Sequence, residues 1–147
     1  MIEIKFAEKQ DFKQIAKLSQ DFEKENCCNG IKADPAEFFI DKNVVVAKQD
    51  NKVIAYCYGV VEIKTKNTSI YKKGQKSFYI EEIFVEAKFR SKNVGKQLFE
   101  FIENYAKSLN CQILETTAVS KDYKKLFNFY INKMDMNFWS ANLYKSL

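Results

Sequence analysis

Two adjacent carboxylates, Glu81 and Glu82, interrupt an apolar run that reads FYIEEIFV. Burial disfavours a charged carboxylate and lifts its pKa towards the range of a general base. Neighbours on a strand point to opposite faces, so the two acids are expected to look opposite ways, with at least one buried. The same residues also fit a plainer arrangement, one glutamate paired with a lysine and the other solvated. A few residues on comes the loop FRSKNVGK, with Arg90, Ser91, Lys92, Asn93, Val94, Gly95 and Lys96. The spacing places this loop at the start of a helix, where backbone N–H groups are unpaired and the helix dipole is positive. Successive N–H groups from Ser91 to Lys96 could wrap a pyrophosphate. Gly95 would leave the backbone open to it, and Arg90 and Lys92 would add charge. An ordinary basic loop with a glycine in its first helical turn has the same spacing.

The elements that position these groups follow from periodicity. Ile2, Ile4 and Phe6 alternate as a first strand, and Phe12, Ile15, Ala16, Ser19 and Phe22 recur at helical spacing over 9–25. Asp34 then Pro35 is a helix-start signal, predicting a short helix to about Asp41. The apolar segment 44–47, the turn at Asp50–Asn51 and the segment 52–63 make a hairpin. Residues 65–76 are polar and irregular. The acid-bearing strand over 78–85 follows. Val94, Leu98, Phe101, Ile102, Tyr105 and Leu109 then mark one helix face. A strand over 111–119 comes next, then a helix capped by Ser120 with Tyr123, Leu126, Phe127, Tyr130 and Met134 in period. A last strand is predicted over 138–144. The order β-α-α-β-β-β-α-β-α-β predicts an α/β (α+β) fold with a mixed, mostly antiparallel sheet flanked by helices.

Composition bounds the chemistry. With 147 residues, 46% hydrophobic and 15% aromatic, one globular domain with one core is expected, spanning 1–147. No apolar run approaches the ~20 residues of a membrane span. The first residues alternate and carry charge, unlike a signal peptide, so a cytoplasmic protein is expected. There is no histidine, which removes every Ser–His and Cys–His scheme and leaves acid–base work to Glu, Asp, Tyr, Cys or Lys. Cys27, Cys28, Cys57 and Cys111 form no C-x-x-C pair, so no metal is expected. The net charge of +5 is dispersed, which favours an anionic small ligand and argues against a nucleic-acid partner. Arg90 is the sole arginine among 24 basic residues, which marks a place for a planar, multi-donor cation.

The loop resembles motif A of the GCN5-related N-acetyltransferases, [RQ]-x-x-G-x-[GA] between a strand and a helix. Arg90 matches the first position and Gly95 the last. Asn93 replaces the first glycine, and asparagine tolerates left-handed backbone better than most residues. The segment YIEEIFV resembles the acid-bearing fourth strand of several branches. The later KLFNFYINKMDM resembles A-x-x-x-Y-x-K-x-G-F, with Tyr130 and Lys133 at the tyrosine and lysine and Asp135–Met136 in place of Gly-Phe. An asparagine often found near the start of that helix is missing.

That resemblance implies acetyl-CoA in a gap between the fourth and fifth strands. Its pantetheine arm would pair with the backbone of Ile83, Phe84 and Val85, and its pyrophosphate would rest on Arg90 to Lys96. It implies direct attack of a primary amine on the thioester through a tetrahedral intermediate. Glu81 aligns with the acid assigned as base in the polyamine-acetylating branch, and Glu82 is the alternative or an anchor for a cationic acceptor. Tyr130 is the expected acid for the leaving thiolate, although spacing alone also reads it as part of the Tyr123–Leu126–Phe127 core stripe. A small cationic amine is the expected acceptor and a protein or peptide amine the alternative. A catalytically impaired CoA-binding module is a further reading, motivated by Asn93 and Asp135–Met136, and a homodimer is possible on family grounds. Phe22, Phe38, Phe39, Tyr56 and Tyr58 are either acceptor-pocket lining or core, and Cys27–Cys28 lie near the expected acceptor side.

Overall fold

The segments with alternating or continuous apolar residues assemble one sheet. The computed structural model describes residues 1–147. Its strands are β1 (Ile2–Phe6), β2 (Val44–Gln49), β3 (Lys52–Ile63), β4 (Lys76–Val85) and β5 (Ile113–Thr116). They lie side by side in chain order, antiparallel from β1 to β4, with β5 parallel to β4. The mixed, mostly antiparallel sheet is thus as the sequence predicts. Asp50 and Asn51, with φ of 51° and 62°, form the two-residue hairpin turn between β2 and β3.

Helices cover both faces, which is why β2 is a continuous apolar run rather than an alternating one. α1 (Phe12–Glu25) buries Ile15, Leu18 and Phe22 with Phe39, Tyr56, Tyr58 and Phe84 on one side. α2 (Val94–Ser108) buries Val94, Leu98, Phe99, Ile102 and Ala106 with Cys57, Phe78 and Ile80 on the other. The start of α1 is tied to β2 by a buried ion pair, Lys48 Nζ to Asp11 Oδ1 at 2.7 Å. Asp11 Oδ2 also accepts from the Glu8 N–H at 3.0 Å, so its charge is satisfied twice.

Three sequence expectations change. The segment after Asp34 is a single 3-10 turn, Ala36–Phe39, with Pro35 as its cap rather than its first residue. Only Phe39 there reaches the core, too little to stabilise an α-helical nucleus. The late helix is α3 (Tyr123–Phe127), capped by Asp122 rather than Ser120, and it widens into a π-helical turn at Asn128–Lys133. That extra residue per turn rotates the stripe, so Tyr130 is buried while Tyr123 is exposed. The last strand, 138–144, is absent. Its aromatic residues Phe138, Trp139 and Tyr144 stay exposed, and β5 remains the sheet edge. Alternation reports amphipathicity, not a partner edge, and Ser140, Ala141 and Asn142 dilute its β-propensity.

Candidate active site

The two acids owe their placement to a β-bulge. Tyr58 of β3 pairs with Glu82, but the next residue, Gly59, pairs with Ile80, leaving Glu81 as an extra residue in β4. Phe78 and Ile80 below the bulge, and Ile83 and Val85 above it, all pack towards α2. Glu81 and Glu82 therefore both emerge on the α1 face, which corrects the expectation that they look opposite ways. Glu82 Oε1 accepts a hydrogen bond from the Tyr56 hydroxyl, and Glu81 Oε2 pairs with Lys42 Nζ at 3.4 Å. Gly59 permits the bulge, because a Cβ there would lie 2.3 Å from the Tyr79 carbonyl oxygen. A glycine inside an otherwise apolar strand was the available sequence signal for it.

The acids differ in environment. Burial is the main cause lifting the Glu82 carboxyl above its usual range, opposed by the Tyr56 hydrogen bond and helped by the nearby charges of Asp34 and Glu81. Glu81 keeps 35% of its side chain exposed and has a lysine partner. Tyr56 is fully buried, and burial raises its own phenol pKa, so it stays a donor to Glu82.

Beside the bulge the sheet opens. β4 and β5 pair from Ser77–Ile113 to Ile80–Thr116 and then part, whereas β4 continues to Val85. The β4 edge from Glu81 to Val85 has no strand neighbour on that side. The side chains of Ile83 and Val85 belong to the α2-side core, and Phe84 stacks on Phe22 at 4.7 Å. What these three residues can offer a ligand is therefore backbone.

The loop after β4 prepares a helix terminus. Arg90 is extended, Ser91 and Asn93 are left-handed with φ of 60° and 62°, and α2 begins at Val94. The Asn93 carbonyl accepts from Gln97 N–H at 3.0 Å, and no side chain caps this end. The N–H groups of Val94, Gly95 and Lys96 are left for an anion. Lys92 lies over the Phe89 ring, 5.5 Å from its centroid, and Lys96 is 3.6 Å from Glu100. Gly95 turns inward: a Cβ there would make ordinary contacts, 3.6 Å from the Phe129 ring and 3.8 Å from Val85.

Arg90 is engaged within the protein itself. Its Nε donates to the Val85 carbonyl at 2.8 Å, one terminal nitrogen grips both Glu25 oxygens at 2.9 and 2.7 Å, and the guanidinium lies over Phe84. It clasps the end of α1 to the end of β4. The planar fork that marked it in the sequence is used for this clasp.

Tyr130 is buried beside Phe99 and Phe129. Burial raises its phenol pKa, the thiol of Cys57 adds to this, and the Thr116 hydroxyl opposes it. Thr116 is the last β5 residue paired with β4, so Tyr130 lies where the strands part. Downstream, Asp135 adopts φ of 56°, the left-handed geometry that glycine would otherwise supply. Cys28 bridges to Ser120 across the same end of the molecule, and burial with Cys27 nearby pushes its thiol up to about 11. It is protonated at neutral pH and a poor nucleophile.

A splayed strand pair, a bulge bearing acids and an uncapped helix start after the same strand make a site suited to an acyl carrier with a phosphate-bearing tail. The family model described as the Acetyltransferase (GNAT) family matches residues 5–136, and the chain belongs to that family. It is accordingly an acyltransferase of the N-acetyltransferase kind, and the family generally uses acetyl-CoA. No curated protein matches it in sequence. Among solved structures, a Bacillus halodurans protein is similar with TM-score 0.77, 19% identity and 99% of each chain covered. An aminoglycoside acetyltransferase from an uncultured soil metagenomic sample is similar with TM-score 0.71 and 16% identity, covering 99% of this chain and 96% of that one. A ribosomal-protein-alanine N-acetyltransferase from Brucella melitensis has TM-score 0.70, 14% identity and 99% of each chain covered.

Proposed function

We propose that this protein transfers an acetyl group from acetyl-CoA to a primary amine, with a small cationic amine as acceptor. The observation that carries this reading is the bulge, which sets Glu81 and Glu82 on one face at the point where β4 leaves β5. The free β4 edge at Ile83, Phe84 and Val85 suits the pantetheine amides, and the N–H groups from Val94 to Lys96, with Lys92, suit the phosphates. Ser91 and Asn93 serve through their left-handed backbone, which turns the loop towards the helix start. Acetyl-CoA, when bound, supplies the acyl group as a thioester. Arg90 holds the strand end and loop in register rather than meeting phosphate itself.

An acceptor amine arrives as an ammonium and must lose a proton before it can attack. Glu82 is the base: it is half-buried, its pKa is raised, and the Tyr56 hydrogen bond fixes its orientation. Glu81, more exposed, attracts the incoming cation. Burial raises the Tyr130 pKa and keeps its phenol protonated, so its O–H would offer a hydrogen bond to the departing sulfur of bound acetyl-CoA. The fold resemblances span an aminoglycoside acetyltransferase and a ribosomal-protein-alanine N-acetyltransferase at nearly equal TM-scores, so they do not choose the acceptor. Local charge favours the small cation, since Asp34 adds a third carboxylate near Glu81 and Glu82. Asn93 and Asp135 both adopt a left-handed backbone, a form that glycine takes readily, which counts against a catalytically impaired CoA-binding module.

The test is thiol release from acetyl-CoA across polyamines, aminoglycosides and short peptides, for wild type and Glu82→Gln. Turnover should fall by about 10²–10⁴-fold in the variant. The rise in melting temperature on adding CoA should persist. Full turnover by Glu82→Gln would remove Glu82 as base. No thermal shift with CoA or acetyl-CoA would remove the cofactor assignment.

A further inference from the structure

Lys42 is not placed like a surface lysine. It follows the Ala36–Phe39 turn, and its backbone is held by Lys42 N–H to the Phe39 carbonyl at 3.2 Å and Val44 N–H to the Lys42 carbonyl at 3.0 Å. Its side chain folds back over the sheet and keeps only 22% exposure. The ammonium lies 4.4 Å from the Phe38 ring centroid, 5.2 Å from that of Tyr58 and 3.4 Å from Glu81 Oε2. Phe38 and Tyr58 meet edge to face at 5.8 Å, and Tyr58 stacks parallel to Tyr56, the residue that holds Glu82. Two π-faces and a carboxylate around one ammonium form a cation cage.

We propose that this cage, formed by Phe38, Tyr58 and Glu81, is a binding site for an unbranched primary alkylammonium group, and that Lys42 fills it in the resting protein. The identification of this group with the acetyl acceptor rests on the function proposed above; the cage itself does not. Lys42 has the chemistry of the ligand: a flexible methylene chain lying along aromatic walls and an ammonium directed at a carboxylate. An incoming alkylammonium makes the same contacts and must displace it. Lys42 thereby acts as an internal competitor that weakens binding of every external amine and selects those able to replace both its chain and its charge.

The probe is n-butylammonium, with n-butanol as the neutral control, titrated without acetyl-CoA against protein carrying ¹³C-labelled tyrosine rings. Wild type, Lys42→Met, Lys42→Gln and Lys42→Met/Glu81→Gln are compared, each first checked by its melting temperature. Both single variants should bind n-butylammonium about tenfold more tightly than wild type, equivalent to about 1.4 kcal/mol. The Tyr58 ring should report the binding, and the double variant should lose it. The proposal is overturned if neither Lys42 variant binds the probe more tightly than wild type, or if n-butanol binds equally well. Because acetyl-CoA is absent, this outcome is independent of the thermal shift and turnover that test the function.

Discussion

Tyr56→Phe isolates the group that tunes Glu82. Tyr56 is fully buried and its ring packs near Phe39, Tyr58 and Phe84, so phenylalanine keeps the packing and removes one hydroxyl. That hydroxyl donates to Glu82 Oε1 and stabilises the ionised form most. A hydrogen bond to a charged group contributes ~1.5–3 kcal/mol, and ~1.4 kcal/mol corresponds to one pH unit. The Glu82 pKa, already raised from its ordinary 4.5 by burial, should rise further in the variant. Carboxyl ¹³C NMR of glutamate-labelled protein reads this with no acceptor needed. The same change has a signature in stability. Glu82 binds its proton more tightly folded than unfolded, so its contribution is fully present below about pH 4.5 and is lost as pH rises through the folded pKa. Urea unfolding should therefore show a loss of ~1.5–3 kcal/mol for Tyr56→Phe near pH 8, and a smaller one near pH 4, where Glu82 is neutral in both proteins. An unchanged Glu82 pKa, or an equal loss at both pH values, would refute the argument that this bond acts on the carboxylate.

Other substitutions probe the scaffold and the chemistry. Arg90→Ala should lower the melting temperature of the ligand-free protein by about 2–4 °C, since the partly exposed Glu25 pair contributes only about 1 kcal/mol. No change would mean the clasp is idle. Tyr130→Phe should slow turnover while leaving the acetyl-CoA thermal shift in place, and an unaltered rate would leave Tyr130 as packing alone. Gly59→Ala should fail to accumulate as folded protein, because its Cβ would collide with the Tyr79 backbone; normal solubility and melting would contradict the bulge. Gly95→Ala should leave the ligand-free protein as stable or raise it by about 0.5–1 kcal/mol in thermal unfolding, since the added methyl meets only ordinary contacts and alanine favours the helix.

Local signals were the readable ones. The alternation of Ile2, Ile4 and Phe6, the Asp50–Asn51 turn and the helical stripe from Val94 to Leu109 each concern residues close along the chain, and each became the expected element, the helix ending at Ser108 with Leu109 as its cap. The left-handed backbone at Asn93 was foreseeable for the same reason, because asparagine carries that tolerance itself. The stripe through Tyr130 was readable only in part, since a π-helical turn shifts the phase without leaving a mark in residue type.

The relations across the sheet were not readable. Whether Glu81 and Glu82 share a face depends on how β3 pairs with β4, and a bulge opposite Gly59 reverses the side that simple alternation assigns. Arg90 stood out in the sequence as a lone planar cation, yet its partner, Glu25, lies 65 residues away, at the end of a helix that only packing brings alongside. The cage around Lys42 draws on a turn, β3 and β4 at once. By itself the sequence determined the elements, the family resemblance and the candidate acids and loop, because these rest on local backbone preference and short spacings. Tertiary structure decided which acid is the more buried, what Arg90 grips and what fills the aromatic pocket, because burial and charge pairing depend on neighbours that strand register and helix packing supply.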